Sequence, residues 1–129
     1  MLLNSRIFWT QFVAILSIAA VHITALEHNL YFYVRWLDIP QHFFGGMWVA
    51  LAFLWLCAVK GRHQVPFLYV FFTVLTIGGL WELYEYVFGI SYGPTYVFDT
   101  SKDLLMDSCG AIVAYLFARQ FLLPKISNT

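Results

Sequence analysis

The sequence predicts an all-α integral membrane protein, a single four-transmembrane-helix bundle with both termini in the cytoplasm. Three observations predict it. Hydrophobic residues fill 61% of the 129 positions and charged residues only 11%, against roughly 25% charged in a soluble domain. Four apolar stretches have the length, about 20 residues, that crosses a bilayer. Lys and Arg gather on one side of those stretches. The same composition excludes a soluble enzyme and a disordered chain. With seven Lys and Arg balancing seven Asp and Glu, it also excludes a basic nucleic-acid binder, so no nucleic-acid partner is expected.

The first helix is expected over about residues 7–26. This run is long enough to span and lacks a small-residue cleavage site, so it reads as a retained helix and not a signal peptide. The second is expected over 42–59 and the third over 65–88. The polar break KGRHQ between them, 60–64, allows only a tight turn. Pro66 falls at the start of the third helix, where a missing N–H is harmless. The fourth is expected over 104–123, stopped by Pro124. The two longer connections, 27–41 and 89–103, are rich in aromatics such as Tyr31, Trp36, Tyr92 and Tyr96, as suits segments at headgroup depth. Cys57 and Cys109 fall at different depths along their helices and are expected to be free thiols.

With four spans, Arg6, Lys60, Arg62, Arg119 and Lys125 share one side, and only Arg35 and Lys102 lie on the other. The positive-inside rule makes the first side cytoplasmic. All seven acids, Glu27, Asp38, Glu82, Glu85, Asp99, Asp103 and Asp107, fall at the outer ends or in the outer loops. Formal charge is therefore +5 inside; outside, two cations and seven acids give −5.

Three short patterns converge at that outer depth: Asp38-x-x-x-His42, Glu82-x-x-Glu85, and Asp99-x-x-x-Asp103-x-x-x-Asp107. Spacings of three and four put such side chains on one helical face. An ionisable residue inside the membrane costs roughly 2.5–3.5 kcal/mol even on a mild insertion scale, and grouped carboxylates in a low-dielectric site cannot all stay ionised. Either some carry protons or a cation sits among them. A His with several carboxylates suits Zn, Mn or Fe, while carboxylates alone suit Mg or Ca. The expected ligands are Asp38, His42, Glu82, Asp103 and Asp107, with Glu82 or Glu85 as general base. A competing reading makes Asp38 a cap of the second helix and Asp99 or Asp103 a cap of the fourth, since acids are favoured at helix N-termini. Glu82 and Glu85 escape it, because they stand at a helix C-terminus. His22 lies at the right depth to join the cluster, and Arg35 and Lys102 could neutralise it or grip an anionic headgroup. Gly45, Gly46, Gly78, Gly79 and Gly110 flank the acids and would let the helices approach closely.

The segments LDIPQHFFGG (37–46), WELYEYVFG (81–89) and DTSKDLLMDSCGA (99–111) resemble the YjdF-type inner-membrane proteins, which share an Asp-x-x-x-His, a Glu-x-x-Glu followed by an aromatic, and an Asp-Thr-x-x-Asp. More distantly the same order is similar to the VanZ-like family, where Gln is usual at the position of Glu85 and Asn at that of Asp107. The resemblance covers about residues 37–115 and implies the fold, the cluster and a place in a bacterial inner (plasma) membrane; the VanZ-like likeness adds a link to glycopeptide-antibiotic tolerance. Three functions are expected in descending order. The first is a metal-dependent hydrolase or transferase acting on a lipid or cell-envelope precursor at the outer face. The second is binding or transport of a cation, protons or a lipid, with an oligomer needed for transport. The third is a small assembly or structural subunit of a larger membrane complex.

Overall fold

The computed structural model describes residues 6–90 and 93–123. Among these every regular element is helical: α1 (Arg6–Glu27), the single turn α2 (Leu30–Tyr33), α3 (Asp38–Val59), α4 (Phe67–Val87) and α5 (Tyr96–Phe117), which ends in a π-helical turn, Ala118–Leu122. The helices α1, α3 and α4 are long and apolar enough to cross a membrane. Helix α5 matches them in length at 22 residues, but Asp99, Lys102, Asp103 and Asp107 in its first half make it far less apolar.

The helix ends follow from local chemistry. Asn29 takes a left-handed conformation (φ 53°), which Asn tolerates better than most residues, and turns the chain from α1 into α2. Gly61 (φ 75°) does the same between α3 and α4. Pro66 immediately precedes α4, as expected. Two starts differ from expectation. Helix α3 opens at Asp38 and not at His42, because Pro40 falls in its first turn, where backbone N–H groups have no helical partner to lose. Helix α5 opens at Tyr96 and not at Leu104. Its first turns hold a charged ladder, with Lys102 Nζ 3.7 Å from Asp99 Oδ1 and 3.5 Å from Asp103 Oδ1, which makes helical a stretch that reads as loop. Asp107 therefore stands three turns into α5 and not one. Pro124, Lys125 and Tyr92 lie outside the described residues.

Helices α3 and α5 run parallel and pack against each other most extensively; α4 packs on both, and α1 packs on α3. Trp48 Nε1 donates to Gln11 Oε1 at 3.0 Å, and the Phe8 and Trp55 rings lie 5.4 Å apart, so α1 is antiparallel to α3. Lipid is as apolar as these helices, so burial from water does not drive their association; packing and polar contacts must. The α3–α5 contact is accordingly made between backbones. A Cβ on Gly110 would collide with the Phe43 carbonyl and the Met47 nitrogen, and one on Gly46 with the Asp107 backbone. Away from the acids, Ile7, Leu51, Leu54, Val70, Val74, Ala111, Ala114 and Ala118 form a fully buried core. There the Tyr115 hydroxyl donates to the Val65 carbonyl at 2.9 Å and accepts from Arg119 at 3.2 Å. Cys57 and Cys109 are free thiols.

Candidate functional site

The three sequence patterns meet around one side chain, His42. Its Nε2 lies 3.6 Å from Asp38 Oδ1, 3.7 Å from Glu82 Oε1 and 4.0 Å from Asp103 Oδ2, and its Nδ1 lies 3.5 Å from Asp107 Oδ1. Four carboxylates from three helices thus surround one imidazole. Residue exposures are 8% for His42, 2% for Glu82, 4% for Asp103 and 5% for Asp107; Asp38 is half-buried. Helix caps would be solvated. Moreover, α3 and α5 are preceded by Leu37 and Thr95, neither of which makes a side-chain cap bond, so Asp38, Asp99 and Asp103 are not capping residues.

The three buried carboxylates each have a specific accommodation. The Thr100 hydroxyl donates to Glu82 Oε2 at 2.8 Å, and Tyr96 reaches the Glu82 carbonyl at 3.4 Å. Lys102 bridges Asp99 and Asp103. Asp107 owes its room to glycine: a Cβ on Gly78 would strike its Oδ2. Gly79 faces open space instead, which separates it from the other flanking glycines. These supports leave an imbalance. Among the described residues Glu82 Oε1 and Asp107 Oδ2 are buried acceptors with no hydrogen bond, and Asp103 Oδ1 has only the 3.5 Å ion pair with Lys102; a buried acceptor left without a donor ordinarily costs about 1–3 kcal/mol. Asp38, His42 and Asp103 each present one ligand atom, all within 4.8 Å of one another, a span that a single ion could bridge.

The cluster forms one end of a cavity of about 840 Å³. Asp38, His42, Glu85, Asp99, Asp103 and Asp107 line it, together with Arg35 and Lys102, and Glu82 does not. Glu85 is set apart from the imidazole, its Oε1 held by the Trp81 indole at 2.9 Å. His22 also faces the cavity, with Nδ1 2.7 Å from the Tyr31 hydroxyl. Burial, reinforced by the charges of Asp38 and Glu85, raises the Tyr31 phenol above its ordinary value of 10.0. Glu27 does not take part. Sequence reasoning missed Tyr31 as a site residue and also Gln41, whose buried amide nitrogen at the cavity wall has no hydrogen-bond partner among the described residues; Thr100 entered only as the Thr of the Asp-Thr-x-x-Asp pattern, without its role toward Glu82. None carries a charge or a periodic signal that would single it out.

A family model described as "Predicted membrane protein (DUF2238)" matches residues 3–122, nearly the whole chain and all of the site. The protein belongs to this family, which is that of the YjdF-type proteins. The comparisons found no match among curated proteins and none among solved structures.

Proposed function

We propose that this membrane protein of the DUF2238 family is a metal-dependent hydrolase or transferase acting on a lipid or cell-envelope precursor at the outer face of a bacterial inner membrane. The observation that carries the reading is the set of buried carboxylates around His42, among which Glu82 Oε1 faces the ring without a hydrogen bond and Asp103 and Asp107 each have a second oxygen, turned from the ring, without one among the described residues. A protein that buries several carboxylates around one imidazole gains from a cation placed among them.

The donor set fits a divalent ion. Asp38, His42 and Asp103 would hold it on the Nε2 side, with Glu82 Oε1 in reach of the same nitrogen. One imidazole with carboxylates suits Zn, Mn or Fe and admits Mg. Asp107 faces the other ring nitrogen, where it would fix the tautomer that leaves Nε2 free as a ligand. When bound, the ion supplies Lewis acidity toward a phosphoryl or carbonyl oxygen. Glu85, at the cavity wall and held by Trp81, is placed to take a proton from an attacking water or hydroxyl, and Arg35 and Lys102 offset the charge of an anionic group.

The topology that goes with this reading has α5 as a fourth span and both termini in the cytoplasm. Lys60, Arg62 and Arg119 then mark the inner side, and the acid cluster lies near the outer headgroups. The test is metal analysis of protein purified without chelators. About one divalent ion per chain is expected in the wild type, with loss in His42→Ala and Glu82→Ala variants that elute as folded protein. A metal-free wild type whose affinity for added Zn or Mn is unchanged by His42→Ala overturns the proposal.

A further inference from the structure

The cavity has two unlike ends. Beyond the acid cluster it continues between α1 and α4 as an apolar arm walled by Ile15, Ile18 and Ala19 of α1, Val49 of α3, and Val74 and Ile77 of α4. Val49 is seven residues past His42, and Val74 eight before Glu82, so at 1.5 Å per residue the arm reaches about 10–12 Å deeper than the cluster. Water filling such an arm would find no polar partners. Helix α1 packs on α3 but not appreciably on α4, and Ile77, Trp81 and Tyr84 line the cavity while remaining about half exposed. The arm is therefore open sideways, on the faces that contact lipid. At the polar end Arg35 lines the mouth and has no ion-pair partner among the described residues, whereas Lys102 is already committed to Asp99 and Asp103. An unpaired guanidinium beside a carboxylate cluster selects an anionic, phosphate-like group. The volume lies within the roughly 300–1,000 Å³ typical of ligand sites.

We infer that the cavity binds an amphiphile with a phosphate headgroup and a hydrocarbon chain, the headgroup at Arg35 and the chain in the arm between α1 and α4. The inference rests on the proposed function only for what happens to the headgroup; binding of the chain is independent of it.

The experiment uses full-length protein in dioleoylphosphatidylcholine nanodiscs and hexadecyl phosphate bearing a mid-chain diazirine. After irradiation and digestion, adducts are expected at Ile15, Ile18, Val49 and Ile77, with at least tenfold fewer at the outward-facing Val13, Leu16, Leu68 and Phe72. Unlabelled hexadecyl phosphate should suppress them, and neither inorganic phosphate nor hexadecanol should match it. Arg35→Gln should weaken that competition about tenfold, and Ile18→Trp, which fills the arm, should abolish the lining adducts. Adducts spread equally over lining and outward residues overturn the inference. So does competition by inorganic phosphate as strong as by the amphiphile, because the chain would then contribute nothing. Metal content measured on the same samples keeps the two readings apart: lining adducts that persist in a metal-free His42→Ala variant support chain binding while the metal reading falls. A full metal load without lining adducts overturns chain binding alone.

Discussion

Asp107 stands behind His42, its Oδ1 3.5 Å from Nδ1, while the other three carboxylates face Nε2. The two nitrogens of one ring therefore have different work. A carboxylate on Nδ1 orients the ring and raises its basicity as a ligand, and losing such a partner typically costs roughly 10–100-fold in metal affinity. Asp107→Asn, which keeps the shape and removes the charge, should weaken Zn or Mn binding by about that factor without abolishing it. Dye competition on the purified protein measures this. An unchanged affinity would show that Asp107 does not act through His42.

Among the described residues Thr100 is the one side-chain hydrogen-bond donor to Glu82, at 2.8 Å from Oε2. The other oxygen already lacks a donor, so removing the hydroxyl leaves the whole buried carboxylate unsupported. Thr100→Val should cost about 1–3 kcal/mol, read as a lower thermal midpoint in detergent, and Thr100→Ser should recover most of it. Equal midpoints for all three proteins would mean that another donor serves Glu82.

The cluster was legible because charge is conspicuous in an apolar chain: His42, Glu82, Asp103 and Asp107 interrupt sequences that otherwise read as lipid-facing. Their spacing gave the face, and the common depth gave the meeting point. Tyr31 and Gln41 were not legible, and Thr100 was visible only as a motif position without its partner, since a hydroxyl or an amide near a helix end has many solvated alternatives and its partner is chosen by tertiary packing. The start of α5 was hidden for the converse reason. Asp99, Lys102 and Asp103 look like loop residues until Lys102 is seen to pair with Asp99 one turn back and with its neighbour Asp103. Among the glycines, sequence could not separate Gly46, Gly78 and Gly110, which face another helix, from Gly79, which faces none.

That separation is testable. An added methyl on Gly110 would meet the α3 backbone, which cannot rotate away as a side chain can, and overpacking of this kind costs about 1–3 kcal/mol. Gly110→Ala should lower both the thermal midpoint and the yield of folded protein. Gly79→Ala has free space and gains up to about 1 kcal/mol of helix propensity, so its midpoint should hold or rise. Similar losses from both substitutions would contradict the close α3–α5 contact.

Tyr31 links α2 to α1 through His22, and its phenol titrates above 10.0, chiefly because it is partly buried and secondly because Asp38 and Glu85 lie near. A folded-state value above the unfolded one favours the native state while the group is protonated. This contribution is complete below pH of about 10 and is lost as pH rises through the folded value. Subtracting the alkaline absorbance titration of Tyr31→Phe from that of the wild type should isolate a tyrosinate transition displaced upward, and the wild type should lose stability more steeply than the variant in that range. A difference titration centred at or below 10.0 would remove the argument.

The last prediction concerns orientation, which decides where any substrate must come from. Lys60 and Arg62 follow α3, at the opposite end of the bundle from His42, and Arg119 lies in the π-helical turn after α5. Because α3 and α5 run parallel, these cations share one end, and the acids share the other. Positive residues near span ends are retained in the cytoplasm far more strongly than acids are exported. The cationic end should therefore be inside and the acid cluster outside, provided α5 crosses the bilayer despite its charged first half. Reporter fusions at Thr129 and in the connection between α4 and α5 should report opposite sides, with the former cytoplasmic. Same-side signals would mean that α5 does not cross. The cluster would then be assembled by a helix dipping into the bundle from the surface, and a substrate reaching it from the outer leaflet would have to be reconsidered.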